Sequence, residues 1–131
     1  MILVLDASVV VDLLLHREPG YSFIKSRIIS ADWLAAPHLL DAEVTQFLRR
    51  FVLRNELDSL HAEKAIHNLQ DLPLERYPHS PLLKRAFNLR NNLTIYDALY
   101  VALAEGLNAQ LLTRDKGFEE TPNIYAAITV I

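Results

Sequence analysis

Cysteine is absent from this chain of 131 residues, and only three glycines, one methionine and one tryptophan occur in it. The lack of cysteine excludes disulfides, a thiolate nucleophile and cysteine-ligated zinc, and leaves no sign of an oxidising compartment. The glycines, Gly20, Gly106 and Gly117, are scattered, so no glycine-rich loop is available to cradle a nucleotide phosphate. The five histidines, His16, His38, His61, His67 and His79, show no paired metal spacing and read as surface or packing residues. No apolar run approaches the roughly 20 residues that span a bilayer. The start, Met1 to Asp6, has no basic segment and meets an acid at once, unlike a secretory signal. Surplus positive charge is missing too. Thirteen Lys and Arg against sixteen Asp and Glu give −3, which argues against bulk attraction to nucleic acid. A cation bound in an acidic pocket would reverse that sign locally. The expectation is one cytoplasmic domain over residues 1–131, with no membrane partner.

What is present suits a packed core: 51% of the residues are hydrophobic and 22% charged. Ile2 to Leu5 is a continuous apolar run, as in a strand buried on both faces. A turn at Asp6-Ala7-Ser8 leads into an apolar helix over Val9 to Leu15, stopped by Glu18-Pro19-Gly20. A second helix is expected over Tyr21 to Ser30 and a second strand over Trp33 to Ala36. Leu40, Val44, Phe47, Leu48, Phe51 and Val52 mark one face of a long helix ending near Arg54. A further helix from Ser59 to Leu69 and a strand over Leu74 to Tyr77 follow. Ser80-Pro81 reads as an N-cap with proline at the first position of a helix to Arg90. The next helix opens at Thr94 and stays apolar from Ile95 to Ala104 except for Asp97, with Gly106 as its expected stop. Strands over Gln110 to Thr113 and Ala127 to Ile131 complete the chain. Strands alternating with helices predict a three-layer α/β/α sandwich around a mainly parallel sheet of four to five short strands.

Active sites of open parallel sheets lie beyond the carboxyl ends of the strands. Asp6 follows the first strand and Asp115 the fourth; Asp97 begins the helix before that strand, and Glu43 lies near the start of the long helix. Each acid also has a plain structural reading: Asp6 as a turn residue, Asp97 as half of a Thr94-x-x-Asp97 capping box, Asp115 in an Asp-Lys-Gly turn, Glu43 as a helix-dipole acid. Together they suggest a cation, because clustered carboxylates repel without one, and oxygen ligands suit Mg²⁺ or Mn²⁺. Helical periodicity does not choose between Asp41 and Glu43. Arg50 and Arg54 follow Glu43 along one helix edge and are candidate phosphate contacts, as are Arg114 and Lys116. A phosphatase with an aspartyl nucleophile would want a second Asp where this chain has Ser8.

Val4-Leu5-Asp6-Ala7-Ser8, the Pro37-to-Val44 stretch, Tyr96-Asp97-Ala98-Leu99-Tyr100 through Ala104, and Leu112-Thr113-Arg114-Asp115 together resemble the PIN-domain family. Within it the likeness is to VapC-type toxins of prokaryotic toxin–antitoxin pairs, and it spans essentially the whole chain. The resemblance implies a Mg²⁺- or Mn²⁺-dependent endoribonuclease with acids at Asp6, Glu43, Asp97 and Asp115, and it favours Glu43 over Asp41. Asp6 and Asp97 would be the main metal ligands, with Glu43 and Asp115 acting directly or through water. Ser8 and Thr113 match hydroxyl positions beside the metal. A binding module on the same fold, or a DNA nuclease, stays open as an alternative. Apolar surface on the first helix, Val9 to Leu15, together with the resemblance, predicts a homodimer and a VapB-type antitoxin that covers the acidic groove.

Overall fold

The protein is described by a computed structural model covering residues 1–131. Five parallel strands form one sheet in the order β3-β2-β1-β4-β5: β1 (Ile2–Leu5), β2 (Trp33–Pro37), β3 (Leu74–Tyr77), β4 (Gln110–Thr113) and β5 (Ala127–Val130). The central strand β1 pairs Leu3 with Leu34 on one side and with Gln110 on the other. Its Leu3, Val4 and Leu5 are buried on both faces, which is why the run is apolar without alternation.

The helices α1 (Ala7–Leu14), α2 (Gly20–Ser30), α3 (Leu39–Leu53) and α4 (Ser59–Asp71) fall within the connections β1 to β2 and β2 to β3. The helices α5 (Leu83–Asn88), α6 (Ile95–Leu107) and α7 (Gly117–Glu120) serve the connections that run the other way across the sheet. Right-handed crossovers therefore put the two sets on opposite faces, giving three layers. The direction reverses between β1 and β4, which makes the gap beyond their carboxyl ends the switch point of the sheet. The helix α6 packs across β1, β2 and β4, and everything from Ala98 to Ala104 on it is buried. No helix is long and apolar enough to cross a membrane.

Three local expectations are corrected. Gly106 does not end α6; the helix continues to Leu107, and Asn108 takes the left-handed conformation (φ 51°) that terminates it. Asparagine tolerates that region because its short amide bonds locally. Ser80 is not an N-cap. It lies inside a short 3₁₀ turn, Ser80–Leu82, so the helix proper is shorter than expected and ends at Asn88. The preceding His79 instead accepts the Leu39 N–H at 2.9 Å through Nε2, capping α3 from across the fold. The first helix presents little apolar surface: Val9, Val10 and Val11 are buried, and Leu13, Leu14 and Leu15 are half-buried against the core. Its start is also earlier, at Ala7, because Asp6 is its N-cap.

Candidate active site

Asp6 stands at the carboxyl end of β1 and caps α1. Its Oδ1 accepts the Ser8 N–H at 2.9 Å, the Val9 N–H at 3.4 Å and the Ser8 hydroxyl at 2.5 Å. Its Oδ2 accepts the hydroxyl of the fully buried Thr113, the last residue of β4. Thr113 Oγ1 in turn accepts the Asp115 N–H at 3.0 Å, and Ser8 Oγ accepts the Arg114 N–H at 3.3 Å. The two hydroxyls thus tie the loops after β1 and β4 together and fix the Asp6 carboxylate between them.

Around this knot lies a pocket of about 290 Å³ lined by Asp6, Ser8, Glu43, Phe47, Asp97, Tyr100, Arg114 and Asp115. Four carboxylates from four separate segments therefore share one cavity at the switch point. Glu43 Oε1 accepts the Tyr100 hydroxyl at 2.6 Å. Asp115 Oδ1 accepts the Gly117 N–H at 2.8 Å, so the Asp-Lys-Gly turn is real and coexists with a place in the pocket wall. In the capping box only one arm forms: Thr94 Oγ1 accepts the Asp97 N–H at 3.1 Å. The Asp97 carboxylate caps nothing.

The electrostatics follow from crowding. Burial pushes the Asp6 carboxyl above its ordinary range, against the opposing pull of its hydrogen bonds. Glu43 is raised by burial and then by the charges of Asp97 and Asp6, while the Tyr100 hydroxyl works in the other direction. Asp97 is raised by burial and then by Asp115 and Asp6. Three acids that resist ionisation, sharing one cavity, are relieved by a cation. The free acceptors are all hard oxygens, which suits Mg²⁺ or Mn²⁺. No three carboxylates draw close enough to cage an ion unaided. A fit is therefore found only for an ion that keeps part of its water, which is the habit of Mg²⁺.

The family model for the PIN domain matches residues 3–124. The chain belongs to the PIN-domain family. Among its relatives, Ribonuclease VapC1 of Mycobacterium tuberculosis is 44% identical over 98% of this chain and 96% of its own length. Ribonuclease VapC9 of the same organism is 36% identical, covering 98% of both chains. A toxin–antitoxin complex from Klebsiella pneumoniae contains a chain of the same fold, with a TM-score of 0.70 over 97% of this chain and 95% of that one at 17% identity.

In this PIN domain the two acids of α3 have different surroundings. Glu43 lines the pocket, whereas Asp41 receives Arg76 of β3 through Nε at 2.8 Å and Nη2 at 3.0 Å. Arg76 also donates to the Leu69 and Leu74 carbonyls, so Asp41 anchors the sheet edge to α3 and α4. Asp41→Asn is expected to leave cleavage within about two-fold of wild type and to cost about 1 kcal/mol, since the pair is only partly buried. Thermal melts and a nuclease assay on the same preparation check both halves.

Of the candidate cations, Arg114 lines the pocket, and Arg50, Arg54 and Lys116 do not. The Arg50 guanidinium lies 4.7 Å from the centre of the Phe47 ring, one side chain back from the cavity. Arg54 stands at the end of α3 and Lys116 at the start of α7. Sequence reasoning passed over Tyr100 and Phe47. Tyr100 had a usable signal: three residues after Asp97, it lies on the same side of a buried helix, and a buried tyrosine hydroxyl needs a partner.

Proposed function

We propose that this PIN domain is a metal-dependent endoribonuclease, the toxin of a VapBC-type pair, hydrolysing RNA phosphodiester bonds at Asp6, Glu43, Asp97 and Asp115. The observation that carries the reading is the meeting of these four carboxylates in one pocket. Support for RNA as substrate comes from the VapC relatives, which are named as ribonucleases.

In this reading Asp6 and Asp97 hold the cation, and Glu43 and Asp115 reach it directly or through water. When bound, Mg²⁺ or Mn²⁺ supplies an acidified water and neutralises charge that builds on the phosphate. Ser8 and Thr113 orient Asp6 by donating to both of its oxygens, and so offset part of the burial that disfavours its ionised form. Tyr100 holds Glu43 toward the cavity, where it can orient the attacking water or take its proton. Arg114 meets phosphate at the rim. Arg50, with Arg54 and Lys116 farther out, steadies the flanking backbone.

Purified protein incubated with structured RNA, single-stranded RNA and DNA should cut RNA in Mg²⁺ or Mn²⁺ and fall silent in excess EDTA. Cleavage undiminished by EDTA, or confined to DNA, sinks the assignment.

The partner proposals follow from the same family. A VapB-type antitoxin would cover the acidic groove, where a cationic side chain competes with the metal. A second copy of this chain would cover apolar surface on α5 and the start of α6, where Leu83, Phe87, Ile95 and Tyr96 are exposed. Co-expression with the small reading frame beside this one should yield a stable complex with no nuclease activity, and light scattering should find the free protein dimeric. A monomer that ignores that neighbour removes the toxin assignment and leaves the chemistry standing.

A further inference from the structure

The proposed reaction leaves one buried charge unused. Asp12 stands in the middle of the apolar helix α1 with its side chain 4% exposed. A carboxylate so placed requires a partner. It has Arg114, whose Nη1 lies 3.1 Å from both of its oxygens, and more distantly Arg17, whose Nε is 3.9 Å from Oδ1. The helix α2 begins against it at Gly20, where an added Cβ would stand 2.7 Å from Asp12 Oδ2.

Arg114 is the one cationic residue in the wall of a pocket that also contains four carboxylates. It pairs with none of them; Asp12, behind the wall, is its sole carboxylate partner. Half exposed and on a long stem, a guanidinium left free beside such a cluster would swing into it and occupy the oxygens a metal needs. We infer that Asp12 is a positioning residue: it tethers Arg114 at the rim, keeping the acidic pocket open to its cation and the guanidinium turned toward incoming phosphate. The inference rests on the metal-dependent reading above.

The test is Mn²⁺ binding to the metal-free full chain, followed by calorimetry or electron paramagnetic resonance, with no turnover required. Asp12→Asn should weaken Mn²⁺ binding about ten-fold, because the released Arg114 competes for the carboxylates. The same substitution in the R114Q background should change binding by no more than about two-fold, since no guanidinium remains to fall in. A merely structural Asp12, or simple loss of one distant negative charge, would weaken binding equally in both backgrounds and overturn the inference. Binding indifferent to Asp12→Asn also overturns it. Should Asp12→Asn fail to fold, Gly20→Ala makes the same comparison with both charges kept, by crowding Asp12 Oδ2 away from its place. A protein that takes up no Mn²⁺ at all refutes the metal reading and this inference together, whereas uptake insensitive to Asp12 refutes the inference alone.

Discussion

Asp97→Asn is expected to lower RNA cleavage by about a thousand-fold while making the metal-free protein more stable at neutral pH. The two halves have one origin. The Asp97 carboxylate serves none of the free N–H groups of α6, whose capping is carried by the Thr94 hydroxyl. Its charge is held against burial and against Asp115 and Asp6, with only the Thr94 side chain pulling the other way. Asparagine keeps the shape, removes the repulsion and gives up the favourable helix-dipole term, worth about 0.3–1 kcal/mol at most surface sites. We expect the relief to exceed that loss, for a net gain of about 1 kcal/mol. Cleavage assays and thermal melts in EDTA on one preparation measure both. A near wild-type rate would remove Asp97 from the metal-binding set. Lost activity with a lowered melting temperature would make it a structural residue instead.

The parts of the fold that were legible in the sequence were those governed by local pattern. Ile2 to Leu5 could be read as a central strand because burial on both faces demands an unbroken apolar run. The stripe from Leu40 to Val52 could be read as a helix because one side faces the core. The candidate site was legible as four acids at the ends of elements, since the carboxyl edge of a parallel sheet gathers such positions. What escaped depends on contacts distant in sequence. Asp41 and Glu43 flank the same stripe, and only Arg76, on β3, assigns the first to a structural ion pair. The Ser80 cap failed because the chain enters through a 3₁₀ turn and His79 serves another helix. The first helix reads from sequence as having spare apolar surface, yet it packs against α2 and α3 and leaves only the half-buried Leu13, Leu14 and Leu15 partly open. Asp12 was visible as a lone acid among valines and leucines, but its partner is 102 residues away.

The acidic pocket should also set how stability responds to pH and to metal. Asp6, Glu43 and Asp97 all have folded-state pKa values raised above the ordinary 3.8 of aspartate and 4.5 of glutamate, first through burial. The folded protein therefore holds these protons more tightly than the unfolded chain. Their contribution to stability is complete below the ordinary values and is lost as pH rises through the raised ones. Asp58, lowered by the bonds it receives from His61, acts in the opposite sense, but it is fully exposed and outside the pocket. Because other groups also titrate, the useful measurement is a difference. In EDTA the stability advantage of Asp97→Asn over wild type should be small near pH 4 and widen toward pH 7. Saturating Mn²⁺ should close or invert that gap, since a cation bound only to the folded wild type adds about 2.7 kcal/mol at a hundred times its dissociation constant. For a chain of this length such a gain should raise the melting temperature by roughly 10 °C. A gap that stays constant from pH 4 to 7 would mean that the Asp97 charge is not disfavoured in the fold, and a wild-type melting temperature unmoved by Mn²⁺ would mean that these carboxylates share no metal.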